Sequence, residues 1–364
     1  FTQICGGSGY TNGELITISV AASVGTDPAG NNNAVATDFT FTYDTTLPTV
    51  SSITVTGVTA GSYGTAATYV VIVTASETLE DAPTLTIGGG SVGSGAGSGG
   101  GSTTIWTYTL TPTSADQAVT IDVAAGAITD AAGNDNTAAA TRFAFTHDRT
   151  APTVVITTTS VDTGGSHNGA ATMIFTFSET MTGISDSDFT FTNCDKSAYS
   201  AQSGTVFHQI CTPDTNGETI TVGVPASVGT DAAGNNNAVA TDFTFTYDTT
   251  LPTVSSITVT GVTAGSYGTA ATYVVIVTAS ETLEDAPTLT IGGGSVGSGA
   301  GSGGGSTTIW TYTLTPTSAD QAVTIDVAAG AITDAAGNDN TAAATRFAFT
   351  HDRTAPTVVI TTTS

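Results

Sequence analysis

Three observations predict an all-β chain of tandem antiparallel sandwiches. Thr and Val are abundant, and both are β-branched, which favours strands over helices. Short alternating segments recur between Gly, Pro and Asn turns, and no stretch keeps a helical period. The sequence also repeats itself on the scale of one small domain.

The repeats set the organisation. Residues 45–148 return letter for letter as 249–352. The phrase Asp44-Thr-Thr-Leu-Pro48-Thr-Val is echoed from Asp148, Asp248 and Asp352, at spacings of 104, 100 and 104 residues. Two unit types therefore alternate: type X at 45–148 and 249–352, and type Y at 149–248. Residues 1–44 match the last part of a Y unit, and residues 353–364 match the first strand of another. Both ends then fall inside a domain, as expected of a window on a longer array.

Within type X, Val50–Val55 reads as a first strand, Ala67–Ala75 as a long apolar second and Ala82–Ile87 as a third. Thr104–Leu110 alternates, with Trp106, Tyr108 and Leu110 on one face. Val119, Ile121 and Val123 alternate with Thr120 and Asp122, and Phe143 and Phe145 follow. Six or seven such strands in about 100 residues describe an Ig-like β-sandwich. The tract Gly88–Ser102, copied at Gly292–Ser306, reads as a surface loop or as a contact with another domain or chain.

Composition narrows the partners. Five Lys and Arg stand against 30 Asp and Glu, a formal charge of -25. That balance excludes nucleic acid, whose phosphates need basic clusters, and an anionic membrane surface. No apolar run is long enough for membrane insertion in this segment. Cys194 and Cys211 flank Ser203-Gly204; if Phe189–Cys194 and Thr205–Cys211 pair as neighbouring strands, a disulfide forms easily, and otherwise two buried thiols remain. Cys5, in Phe1-Thr-Gln-Ile-Cys5, matches Cys211, so its partner would precede residue 1. A disulfide implies an oxidising, extracellular setting, secreted or on the cell surface.

Acidic residues are predicted to converge where one unit meets the next. In an Ig-like sandwich the incoming linker, the B–C loop and the F–G loop share one end. This brings together Asp44, Glu77, Asp130 and Asn134; then Asp148, Glu179, Asp231 and Asn235; then Asp248, Glu281, Asp334 and Asn338. Three close carboxylates repel unless a cation neutralises them, and oxygen-only donors on loops suit Ca²⁺. The competing reading is solvated acids at turns, where Asp and Asn are common anyway.

The run S-E-T, T-D-A-A-G-N and F-x-F-T-[YH]-D-x-T-x-P-T-V resembles the bacterial Ig-like repeats of giant extracellular adhesins, similar in layout to cadherin arrays. The resemblance covers 45–352 and implies a calcium-rigidified stalk or fibre, with the family's ligand positions carried onto the residues just named. The cysteine pair of type Y and the letter-for-letter copy depart from that pattern.

Catalytic signals are weak. Gly89-Gly-Ser91-Val-Gly93 fits a nucleophile elbow and Gly95-Ala-Gly97-Ser-Gly-Gly100 a dinucleotide loop, but both lie in low-complexity sequence with no helix following. His147 and His351, beside linker aspartates, read as exposed. The expected role is structural and non-enzymatic: a segment of a calcium-stiffened fibre, associating with copies of itself. The alternatives are an array of modules binding carbohydrate, ice or a cell-surface partner, and accessory repeats of a larger extracellular enzyme.

Overall fold

The computed structural model describes residues 9–98, 103–302 and 307–361. Cys5, the ends of both Gly/Ser tracts and the last three residues lie outside the described residues. The chain packs as two compact units: the segment up to Ala151 with Ala232–Asn235, and Pro152–Asp231 with the segment from Asn236 onward.

The first unit opens with an antiparallel pair, β1 (Glu14–Ile18) and β2 (Phe39–Tyr43). The first X repeat follows as β3 (Val50–Val55), β4 (Tyr63–Gly64), β5 (Tyr69–Leu79), β6 (Thr86–Gly88), β7 (Gly90–Val92), β8 (Ala96–Gly97), β9 (Thr103–Pro112), β10 (Asp116–Asp122) and β11 (Phe143–Asp148). One sheet runs β3-β5-β9-β7, with β8 also on β9, and the other runs β4-β11-β10-β6. The alternation read from the sequence becomes the core. Val71, Val73 and Leu110 are fully buried, with Trp106, Tyr108, Val119, Ile121 and Phe145 packed among them. Alternation puts every second side chain on one face, so two sheets interleave their apolar faces and leave Thr outside.

The second unit holds two sandwiches with separate cores. Its Y repeat comprises β12 (Val154–Thr158), β13 (Ser166–His167), β14 (Ala171–Phe177), β15 (Thr190–Thr192), β16 (Cys194–Ala201), β17 (Val206–Pro213), β18 (Thr219–Gly223) and β19 (Phe243–Tyr247). The sheets run β12-β14-β17-β16 and β13-β19-β18-β15. The Y core is more aromatic, with Phe175 stacked on Phe189 at 3.9 Å between ring centroids. The second X repeat reproduces the pairings of the first, from Val254–Val259 to Phe347–Asp352. Among the described residues no helix is long and apolar enough to cross a membrane.

Four expectations change. The second strand does not stop at Ala75. It continues to Leu79, with its register against β9 shifting between Thr74 and Leu79. The third strand is later and shorter, Thr86–Gly88 rather than Ala82–Ile87. The described part of the Gly/Ser tract is not a free loop: β7 and β8 both pair with β9. A Cβ on Gly95 would sit 2.7 Å from the Tyr108 ring, so the missing side chain serves the chain's own packing. Finally, His147 and His351 are buried, not exposed, because each ring packs edge-on against a core tyrosine, and Nδ1 lies 2.9 Å from the hydroxyl of Tyr69 or Tyr273.

Cys194 and Cys211 form a disulfide with Cα atoms 5.7 Å apart. They lie on β16 and β17, which are adjacent antiparallel strands, as the disulfide alternative required.

Candidate metal centre

The first and third acidic groups are each assembled from a linker, a strand and a loop. Asp44 follows β2, and its Oδ1 accepts the Thr46 backbone N–H at 2.8 Å, turning the linker. Ser76 ties β5 to that linker: its N–H donates to Thr49 O, and its Oγ accepts from Thr49 N. Glu77 stands next, inside the register break that separates β5 from β9.

Asp130 is fixed by its own loop. Its Oδ1 accepts the backbone N–H groups of Ala132 and Asn134, each at 2.9 Å, and its Oδ2 accepts Asn134 Nδ2 at 2.9 Å. Gly133 takes φ 91°, which a side chain rarely adopts. Asn136 staples the loop base: its Oδ1 accepts from Ala127 and Ile128, and its Nδ2 donates to Ala124 O and Ala138 O. The T-D-A-A-G-N-D-N run therefore has a local structural purpose as well. The sequence reading passed over Asn136, Asn237 and Asn340, whose only signal was their constant offset of six residues from the loop aspartate.

In the first set, one ligand oxygen each of Asp44, Glu77 and Asp130 lies within 4.8 Å of the others; Asp248, Glu281 and Asp334 do the same. Asn134 and Asn338 join through Nδ2, donating to the backbone oxygens of Asp44 (3.2 Å) and Asp248 (2.9 Å). In the middle set, Asp148 and Asn235 belong to the first compact unit, and Glu179 and Asp231 to the second. There Asn235 donates Nδ2 to Asp148 O and Oδ1.

The electrostatics are uneven. Burial, then the charges of Asp130 and Asp44, push the Glu77 carboxyl above its ordinary value; burial, Asp334 and Asp248 do the same to Glu281. Burial also opposes ionisation of Asp130, but hydrogen bonds from Asn134, Ala132 and Gly133 outweigh it and hold that carboxyl below the usual range. Glu77 Oε1 is buried and makes no hydrogen bond. Such an oxygen wants a cation or a proton. Calcium–oxygen distances of about 2.4 Å let two ligands lie up to about 5 Å apart across one ion. The donor set and its spacing fit that ion.

Residues 148–247 match the family described as the bacterial Ig-like domain. No curated protein matches the chain. Among solved structures it is similar to FdeC, described as a broadly conserved Escherichia coli adhesin, with 13% identity and a TM-score of 0.38, over 83% of this chain and 96% of that one. A tandem of titin domains aligns at 9% identity and a TM-score of 0.23, over 84% and 98%. SGBP-B of Bacteroides ovatus, solved with a mixed-linkage heptasaccharide, aligns at 12% and 0.17, over 80% and 64%. The class defined by the sheets is that of tandem Ig-like β-sandwiches.

Proposed function

We propose that this chain is a segment of an extracellular stalk or fibre whose Ig-like sandwiches are stiffened by Ca²⁺ at the linkers. The observation that carries this reading is the carboxylate trio at the start of each X repeat, Asp44/Glu77/Asp130 and Asp248/Glu281/Asp334, with donor oxygens within 4.8 Å. The middle set completes the series by sequence. A bound cation would compensate the burial and the neighbouring negative charges that raise Glu77 and Glu281. The match of residues 148–247 to a bacterial Ig-like family and the Cys194–Cys211 bond support a cell-surface or secreted location. Identical X surfaces recurring along one chain also favour lateral association with copies of itself.

The ion's part is to neutralise and bridge; the protein's part is to hold linker, strand and loop oxygens together. Calorimetric titration of the chelated chain with CaCl2 tests it. Calcium at about 100 times its dissociation constant should stabilise by about 2.7 kcal/mol per site. Glu77→Gln should weaken the first site alone. No binding heat and no effect of chelator on the thermal midpoint would refute the calcium reading.

A further inference from the structure

The complete Y repeat at 149–248 leads into the second of the two X repeats. The linker is clamped alike in both. Asn12 Oδ1 accepts from Thr45 N and its Nδ2 donates to Thr46 Oγ1; Asn216 does the same for Thr249 and Thr250. Asn168 adds a further contact at the second.

Asn168 follows β13, which pairs in parallel with β19, and Asp248 N donates to His167 O at 3.1 Å. This places Asn168 beside the linker. From there its Nδ2 donates to Asn338 Oδ1 at 3.1 Å. Asn338 in turn donates its Nδ2 to Asp334 Oδ2 and to Asp248 O, both at 2.9 Å. The Y repeat also approaches the loop backbone: a Cβ on Gly337 would lie 3.6 Å from Asn168 Nδ2, while one on Gly133 meets nothing within 4 Å. Burial follows. Asn338 is 7% exposed and Ala336 5%. In the first X repeat, Asn134 is only half-buried and Ala132 is exposed.

We infer that Asn168 is a positioning residue for the Asp248/Glu281/Asp334 group, which it orders through Asn338 from the preceding repeat. With its Oδ1 engaged, the Asn338 amide cannot rotate away, and its Nδ2 stays on one carboxylate and on the linker carbonyl. The group is then preorganised, so less ordering remains to be done when a cation binds. The X repeats carry Thr65 and Thr269 where Y carries Asn168, since Tyr63–Gly64 and Ser166–His167 take the same place against β11 and β19. A threonine hydroxyl is too short to reproduce this bridge. The Asp248/Glu281/Asp334 group therefore binds the cation more tightly than it would without Asn168.

The inference rests on the calcium reading, and the test separates the two. In the full chain, Glu77→Gln with Glu179→Gln leaves the third group, and Glu179→Gln with Glu281→Gln leaves the first. CaCl2 is titrated into each background with and without Asn168→Ala. The expected result is about fivefold weaker binding at the third group, the size of one lost hydrogen bond, and no change at the first. Unchanged affinity at the third group, or an equal loss at both, overturns the inference. If neither background binds calcium, the calcium reading fails on its own. The bridge is then read in the ion-free chain, where additive effects of Asn168→Ala and Asn338→Ala on the thermal midpoint overturn it and non-additive effects uphold it.

Discussion

Tyr108 shows how one side chain combines packing with a polar obligation. Its ring is 5% exposed, and its hydroxyl donates to Pro83 O at 2.6 Å. Burial pushes its phenol up to about 12 from an ordinary 10.0, and Tyr312 moves in the same direction. The sign follows from the raised value. The neutral phenol is favoured in the folded state, so this contribution is whole below pH 10 and is lost as pH rises through the folded value. Stability of the X repeats should fall above pH 10, and an alkaline absorbance titration should show two tyrosines with delayed ionisation, Tyr108 resisting until about pH 12. Tyr108→Phe should remove one of them. The Trp106/Tyr108/Leu110 face was legible in the sequence because alternation is a local property. The buried state of His147 was not, because its tyrosine partner is 78 residues away in sequence.

At the scale of elements, β5, β7, β8 and β9 show where sequence signals conflict. A run of Gly and Ser lacks the side chains that make a strand recognisable, so the tract read as loop. Its backbone can nonetheless pair with β9, whose Tyr108 needs room where Gly95 lies. Gly95→Val should therefore cost the first sandwich about 1–3 kcal/mol by overpacking, measured as a lower unfolding midpoint. An unchanged midpoint would show that the tract yields freely. The same residues bear on association, because substitutions there perturb the sandwich itself and cannot serve as clean probes of chain–chain contact. The carboxylate group was legible through the recurrence of S-E-T and T-D-A-A-G-N. Its supporting amides were less so: Asn136 and Asn168 act through backbone carbonyls and a partner 170 residues distant.

At the scale of the whole molecule, the repeats differ in covalent reinforcement. The disulfide sits in the Y repeat and bridges β16 to β17 across 17 positions. Under tension, a stalk is a series of links, and each lengthens when its sandwich opens. The Cys194–Cys211 bond keeps the intervening chain out of that extension. At about 3.3–3.6 Å per residue, the oxidised Y repeat should release roughly 5 nm less contour length than the reduced one. Single-molecule pulling with and without reductant reads this directly as two step sizes, with the X steps unchanged. Equal Y steps under both conditions would mean that the bond does not form in the native chain. A fibre so built would have its stretch limited at every second link, and the thiol redox state of its surroundings would set how far it gives before it breaks.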